Sequence, residues 1–421
     1  MLAGNTAVWT VAPLAFCAAM LAQTQAPASP ADTRAGRVQQ ERVEKQKHLV
    51  PDKEHPIEVA IERVTDRDVL PGRLFFGRNG FGISVGNLRS GSGFGFGPRY
   101  YRRDLAGERV IWENSLTASF RKFWAVQTRL TLPSPGGAPF NLQFLARHAD
   151  APSVNYFGPG SGSRRDEKTN YRREDNVFTG RLEVPLQSQS TVAGFYSGIN
   201  LVNIGAGQGS TPSTDLQFAP QAAPGLRRQS NYLFNGPFVT FDLRDWPGNP
   251  HKGSLIDASY LYYWDYDHRQ YSFRRLNVQL EHYIPFLNET RVLALRARTD
   301  LSFVPQGSTI PFFLQSTLGG PDDLRGFERF RYHDNNSLIL NAEYRFEVAT
   351  PLDIALFVDA GNVFRRPGLI GFRNMQEAGG IGFRFKTRDH VVLRFDTGFS
   401  SEGVRVWLQF SNAFDLLPLF R

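Results

Sequence analysis

The chain has little of what marks a disulfide-rich, metal-binding or helical membrane protein. It contains a single cysteine, Cys17, among 421 residues, which excludes a disulfide framework and a thiolate metal site. No run of 18 or more apolar residues occurs, so membrane-spanning helices are not expected. The eight histidines are dispersed, and none lies beside a plausible serine nucleophile in the sequence. We therefore expect no catalytic site, no metal and no cofactor.

The charge of the chain is moderately positive and is not concentrated anywhere. Lys and Arg number 48 against 40 Asp and Glu, which gives a formal net charge of +8. A basic balance can indicate nucleic-acid binding, but the cations are scattered singly along the chain. The pattern favours a barrel with an arginine-rich lumen, surrounded by outer-membrane lipid, and no nucleic-acid partner.

Alternating segments fill residues 73–414. Stretches of about nine to thirteen residues alternate apolar and polar side chains, and Gly, Pro, Asn and Asp separate them. In residues 338–346 the apolar side chains share one face, while Asn341, Glu343 and Arg345 share the other. About sixteen such segments can be counted, an even number as in bacterial barrels. The pattern predicts an all-β fold, a transmembrane antiparallel β-barrel of about 16 strands.

The connections between these segments alternate between long and short. The long ones, at 149–170, 203–231, 304–336 and 365–376, all follow odd-numbered segments. Those after even-numbered segments stay short. This asymmetry is typical of an outer-membrane barrel whose long loops face outward. It predicts that the N-terminus of the barrel lies in the periplasm.

The ends of the chain have a different composition from the barrel. Residues 1–28 combine a short apolar core with small residues near a cleavage position, as in a secretory signal peptide. Residues 29–72 are polar and charged, and we expect a short periplasmic tail, since so few residues bury little core. The barrel then covers 73–414, and residues 415–421 form a C-terminal extension.

One connection, residues 318–336, differs from the others in its density of charges and turn-forming residues. Arg325, Gly326 and Phe327 lie at its centre. Because such a charged segment has few aliphatic residues with which to build its own core, we predict that it folds back into the lumen. Gly326 would allow a tight turn beside the arginine.

The strands that follow this loop offer partners for Arg325. By the two-residue period of a strand, Phe357, Asp359 and Gly361 face inward, and so does Glu343. Two inward carboxylates on neighbouring strands repel unless a cation lies between them, and the planar fork of an arginine fits that place. Gly361 would leave space in the wall for the loop. An alternative that the pattern leaves open is that Arg325 only supports the loop as a plug.

A second polar group precedes the ninth segment, at a predicted periplasmic turn. It consists of Asp242, Arg244 and Asp245, followed by Pro250 and Gly253. Carboxylates at such positions accept hydrogen bonds from turn amides. We therefore interpret this group as turn chemistry rather than as a metal or catalytic site.

Taken together and in this order, these patches resemble the BamA/TamA-like outer-membrane barrel superfamily, also called the bacterial surface antigen family. The resemblance rests on the turn at 242–253, on Leu324 to Phe327 in the loop, on Glu343, and on the sequence FVDAG at 357–361. It implies a barrel that assists insertion or translocation of proteins or lipids at the bacterial outer membrane. It also implies that the loop is needed for biogenesis and transport.

The resemblance also bears on partners. Residues 29–72 are too few for the periplasmic POTRA repeats of family members, so a member without POTRA domains is expected. Client outer-membrane proteins or a separate periplasmic protein are then the candidate partners, beside outer-membrane lipid. The glycine-rich first hairpin, residues 77–97, predicts a weak seam between the first and last strands. The alternatives are a passive or self-plugged channel of the porin type and, with less support, an outer-membrane hydrolase.

Overall fold

The structure, a computed structural model, describes residues 79–87, 92, 94–186, 190–287, 290–349, 351–386 and 391–410. The predicted signal peptide (1–28), the tail (29–72) and the C-terminal extension (415–421) lie outside these residues, as do positions 73–78 of the predicted barrel. No helix within the described ranges is long and apolar enough to cross a membrane.

Sixteen strands form one antiparallel sheet and follow one another in chain order, and two short strands pair separately within a loop. This arrangement confirms the predicted all-β fold and the strand number. The strands are β1 Gly80–Asn87, β2 Phe94–Leu105, β3 Val110–Ser119, β4 Trp124–Leu132, β5 Asn141–Tyr156, β6 Thr169–Pro185, β7 Thr191–Ala206, β8 Tyr232–Asp242, β9 Gly253–Asp265, β10 Phe273–Phe286, β11 Arg291–Phe303, β12 Ser316–Leu318, β13 Tyr332–Asp334, β14 Asn336–Ala349, β15 Leu352–Phe364, β16 Gln376–Lys386, β17 Val391–Ser400 and β18 Gly403–Gln409.

The helical elements are short and lie in the connections. The only α-helix of the described chain is α1, Thr214–Gln217, in the loop between β7 and β8. Four single 3-10 turns cover Pro135–Gly137, Arg165–Glu167, Phe312–Leu314 and Pro367–Leu369. All of the remaining regular structure in the described residues is strand.

The two ends of the sheet approach each other. In the described residues no ladder of hydrogen bonds pairs β1 with β18. The rings of Phe94, at the start of β2, and Phe410, just after β18, nevertheless lie 5.5 Å apart between their centroids. The sheet therefore curls until its first and last strands are neighbours. In the described residues an aromatic contact, rather than a ladder of hydrogen bonds, joins them.

Side chains alternate between the interior and the outer surface, as a barrel wall requires. On β15, Phe357 and Asp359 are buried, at 3% and 0% exposure. Their neighbours Leu356 and Val358 are 50% and 60% exposed. The outer face of this strand is therefore apolar, and its inner face carries the charge.

The four long connections predicted after odd-numbered strands are present, although some are shorter than expected; the connection after β8, residues 243–252, is longer than the predicted short turns. The loop predicted at 149–170 spans only residues 157–168, because β5 and β6 continue beyond the apolar part of the wall. Arg172 of β6 binds Asp150 of β5 with two hydrogen bonds of 2.9 Å. Cross-strand ion pairs of this kind hold strands together where apolar alternation has ended. We call the two rims the long-loop end and the short-turn end.

A buried aromatic cluster closes the interior at the long-loop end. It joins the ends of strands to residues of the loops 207–231 and 304–315, and it includes Tyr156, Tyr232, Phe273, Phe312 and Phe313. The hydroxyl of Tyr156 donates a hydrogen bond to the carbonyl oxygen of Ala222. The loops at this rim are thus packed into the interior rather than extended away from it.

The outward face of the sheet gives a test of membrane embedding. We expect Val358→Lys, at the centre of β15, to lower the free energy of unfolding by about 2–4 kcal/mol, since a cation at the bilayer midplane is costly. Val348→Lys, on an equally exposed residue near the end of β14, should cost only about 0–1 kcal/mol. Denaturant titration of the protein folded into lipid vesicles measures both. Equal costs at the two positions would contradict a lipid-facing wall.

Candidate functional site

The long loop between β11 and β14, residues 304–335, enters the interior of the sheet. Its apolar residues Leu318, Leu324 and Phe327 are fully buried and pack against Ile339 and Val363 of the wall. The short strands β12 and β13 pair with each other and give the loop a hairpin of its own. This confirms the prediction of one long loop folded into the lumen, and it fixes Arg325 against the wall.

Arg325 binds two carboxylates on neighbouring strands. Its Nε and Nη2 donate to the two oxygens of Asp359 at 2.9 and 2.7 Å, and its Nη1 donates to Oε2 of Glu343 at 2.5 Å. Its backbone N–H also donates to Asp359, at 3.1 Å. The guanidinium lies over the ring of Phe357, 3.5 Å from the ring centroid. All of these groups are at most 3% exposed, so this contact is a desolvated, charge-assisted one.

The environment of Arg325 keeps it charged. Burial by itself would lower the pKa of its guanidinium, but Asp359 and then Glu343 raise that pKa above its usual range. The loop is therefore held by a permanent cation at every pH at which the carboxylates are ionised. A neutral residue at this position would leave the buried carboxylate of Asp359 without its guanidinium partner.

Glu343 is shared by three arginines, which the sequence had not indicated. Besides Arg325, it accepts from Arg345 at 2.8 Å and from Arg384 at 2.9 Å. Arg384 in turn donates to Asp396 of β17 at 2.6 Å. The group formed by these residues together with Asp359 is called the charge cluster below. It joins β14, β15, β16 and β17 to the loop.

Two positions of the site, Gly326 and Gly361, need glycine because a larger residue would clash with its neighbours. A Cβ at Gly326 would lie 2.7 Å from Cβ of Ser400 and 2.8 Å from Cβ of Ala378. A Cβ at Gly361 would lie 2.8 Å from Cδ1 of Ile339. Gly326 lies in a tight turn, in which the backbone N–H of Phe327 donates to the carbonyl oxygen of Leu324 at 3.1 Å, but its φ is not positive, so the turn itself does not demand a glycine. Glycine is needed there because the loop backbone touches β16 and β17.

The loop also binds the last hairpin, β17–β18, through its backbone. The indole Nε1 of Trp407 donates to the carbonyl oxygen of Arg325 at 2.8 Å. The hydroxyl of Ser400 donates to the carbonyl oxygen of Gly326 at 2.8 Å. Arg405 adds an ion pair of 2.9 Å with Glu328. The segment that Arg325 anchors therefore supports the inner face of the strand at the end of the sheet.

The second predicted group lies at the short-turn end, in the turn 243–252 between β8 and β9. Arg244 donates to both oxygens of Asp242, at 2.8 and 2.7 Å, and to Glu281 of β10 at 3.2 Å. Oδ1 of Asp245 accepts the backbone N–H groups of Trp246, His251 and Lys252. These bonds are the turn chemistry that carboxylates supply.

The remaining two residues of this group shape the backbone of the turn. Pro250 is buried. Gly253 has φ +102°, and a Cβ there would lie 2.1 Å from the carbonyl oxygen of Leu243. No other residue fits at that position without moving the backbone.

Residues that the sequence analysis did not assign to a site connect the turn to the loop. Tyr283 donates its hydroxyl to Glu281 at 2.7 Å, and the guanidinium of Arg345 lies 5.7 Å from the centroid of the Tyr283 ring. Arg345 then binds Glu343. All of them occupy inward-facing positions of their strands, so the two-residue period could have indicated their direction. It could not have indicated which of them meet.

No group of three or more His, Cys, Asp or Glu side chains in the described part of the chain is placed to hold a metal. No histidine adjoins a serine in the sequence, but the fold makes His282 and Ser254 cross-strand neighbours with Nδ1 and Oγ 2.8 Å apart. The pair faces outward, and no described carboxylate binds the histidine, so it lacks the third member that orients such a base.

Comparison with known proteins shows the family to which residues 77–402 belong. The profile of the Omp85 superfamily domain matches residues 77–402, more than half of the chain. No curated protein matches the chain in sequence.

Solved structures resemble the fold at low sequence identity. BamA from Haemophilus ducreyi, in a form lacking POTRA domains 1–3, matches with a TM-score of 0.62 and 14% identity, over 80% of this chain and 70% of that one. CdiB from Escherichia coli matches with a TM-score of 0.50 and 11% identity, over 77% and 61%. CdiB from Acinetobacter baumannii matches with a TM-score of 0.47 and 13% identity, over 78% and 59%. The chain thus spans about three fifths of the length of the two CdiB chains.

The contact between Arg325 and Asp359 can be tested by a double-mutant cycle. Arg325→Ala and Asp359→Ala should each lower the free energy of unfolding by about 3–5 kcal/mol, because each breaks a buried ion pair. The double variant should cost much less than the sum. Arg164→Ala removes an exposed ion pair with Asp166 and is the control, with an expected cost below about 1 kcal/mol. Strict additivity in the cycle would argue against the contact.

The space at Gly326 gives a separate test. Gly326→Ala should weaken the contact between the loop and β16–β17 by about 1–3 kcal/mol, the usual cost of overpacking. Gly368→Ala, at a loop glycine whose Cβ would meet nothing within 4 Å, is the control and should be neutral. Protease accessibility of residues 318–336 measures loop release in both variants. Equal protection of the loop would show that the loop does not touch the wall at Gly326.

Proposed function

Because the chain belongs to the Omp85 superfamily and is an outer-membrane β-barrel, we propose that it assists the insertion or translocation of proteins or lipids at the outer membrane. The observation that carries the proposal is the contact between the loop and the last hairpin. Arg325 anchors the loop on β14 and β15, and the loop backbone receives hydrogen bonds from β17 and β18. A barrel that only had to hold itself closed would need no such support at one end of its sheet.

The junction between β1 and β18 is the proposed place of action. The described residues show no ladder there, and the ring contact of Phe94 with Phe410 keeps the ends together. Within the described residues, breaking this junction requires fewer hydrogen bonds than opening any other neighbouring strand pair. A client chain could then pair with an exposed strand edge, since unpaired strand edges are templates for added strands.

Outer-membrane lipid surrounds the barrel, and we propose two further partners. Client outer-membrane proteins would reach the junction from the periplasm. A separate periplasmic protein would deliver them. The BamA and CdiB structures show the same fold at low identity, and they support the architecture rather than a choice of client.

The second candidate is a self-plugged channel. It is favoured by the filled interior: the aromatic cluster closes the long-loop end, and the loop 304–335 occupies the lumen. An open porin has a water-filled lumen, so the same observation disfavours a steadily open pore. The two candidates differ in whether the wall must open at the junction.

Crosslinking separates the two candidates. Phe94→Cys with Phe410→Cys, joined by a short bismaleimide in a background without Cys17, should lock the ends of the sheet. We expect insertion of a radiolabelled outer-membrane protein into vesicles to fall to background, since the wall can no longer open. The control is Phe383→Cys with Phe395→Cys, on the outer face of β16 and β17. These strands are already paired, so a crosslink between them should leave client insertion unchanged.

Bilayer conductance is the accompanying readout. The uncrosslinked protein should be nearly closed under either candidate. Undiminished client insertion with the ends locked would contradict the proposal and favour the self-plugged channel.

A further inference from the structure

The turn 243–252 reaches across the interior of the barrel. The carbonyl oxygen of Gly248, at its tip, accepts a hydrogen bond of 3.1 Å from the backbone N–H of Val391, the first residue of β17. Five strands of the sheet separate β9 from β17. A contact between residues so far apart around the wall requires the turn to fold over the mouth of the lumen at the short-turn end.

The base of this turn is held rigidly. Arg244 has a side chain only 6% exposed and is fixed between Asp242 and Glu281. Asp245 ties together three backbone amides on both sides of the tip. The backbone N–H of Leu243 and of Asp245 bond back to Ser254 and Lys252, so the two arms of the turn are paired. A rigid arm of this kind can transmit a restraint from β8–β10 to the residue that it touches.

The residue that it touches begins the last hairpin. Residues 394–400 of β17 pair with residues 403–409 of β18, and Val391 lies just before this ladder. Near the long-loop end they receive the loop contacts at Ser400 and Trp407. At the short-turn end they receive the contact of Gly248. Two segments that are not sequence neighbours of the hairpin therefore hold it at opposite ends.

We propose that the turn 243–252 is a latch for β17–β18, and that its release from Val391 is the step that frees the hairpin from the short-turn side. The proposal rests on the proposed function in one respect, namely that the end of the sheet must move. The latch is a positioning element: it contacts the hairpin and not the client. It gives the charged turn a role that turn geometry alone does not explain.

The test removes a single donor. Val391→Pro deletes the N–H that binds Gly248, at a strand start where proline is tolerated. Val391→Ala is the matched control, since it keeps the N–H and loses only the side chain. Hydrogen exchange of the β17–β18 amides, followed by mass spectrometry in nanodiscs, should be about five- to tenfold faster in the proline variant, the factor for one net hydrogen bond. The alanine variant should exchange as the parent does.

A crosslinked variant provides a second test that does not depend on whether the proline variant folds. Gly248→Cys with Val391→Cys, oxidised to a disulfide in a background without Cys17, should slow exchange in β17–β18, and reduction should restore the parent rate. Equal exchange in the proline and alanine variants, or no effect of the disulfide on exchange, would overturn the latch.

Client insertion is measured on the same samples and tests the proposed function separately. A disulfide that slows exchange and also blocks insertion supports both proposals. A disulfide that slows exchange without affecting insertion supports the latch and contradicts the proposed function.

Discussion

The ion pair of Arg325 with Asp359 and Glu343 is the contact on which the interior of this barrel depends. Two carboxylates on adjacent strands, both fully buried, cannot remain ionised without a cation between them. Glu343 is also bound by Arg345 and Arg384 of the wall, but the guanidinium at Asp359 comes from the loop, so folding of the wall and docking of the loop are coupled. When the loop leaves, the buried carboxylate of Asp359 loses this cation. A long loop, costly in conformational entropy, is thereby kept in one position.

The consequences of this contact extend to the end of the sheet. Once Arg325 is fixed, its carbonyl oxygen and that of Gly326 are placed to receive Trp407 and Ser400 of the last hairpin. The charge cluster continues from Glu343 to Arg384 and Asp396, which adds a second connection to β17. Support for β18 therefore comes from inside the lumen, where an ordinary barrel would rely on the neighbouring strand. This is the physical basis for assigning movement to the junction of β1 and β18.

The two-residue alternation of the sequence predicts the strands and the direction of their side chains. It does not predict which side chains meet. Alternation of side chains gives the strand number and the inward direction of Glu343, Phe357 and Asp359, because each strand obeys the same two-residue repeat. The sharing of Glu343 by Arg384 depends on register between strands, which no single strand encodes. The approach of Gly248 to Val391 depends on the curvature of the whole sheet. The close approach at Gly326 likewise arises only when the loop is docked, so the sequence indicated the turn there but not the contact with β16 and β17 that requires a glycine.

The central claim is that the Arg325 contact positions the last hairpin through the loop backbone. Exchange of the Trp407 indole N–H, followed by NMR in nanodiscs, tests it most directly, because this proton donates to the carbonyl oxygen of Arg325. Asp359→Ala leaves both of these groups chemically intact. The account predicts that this variant loses protection of the Trp407 indole proton, while the indoles of Trp124 and Trp264 on the outer face are unchanged. Full protection of Trp407 in Asp359→Ala would contradict it.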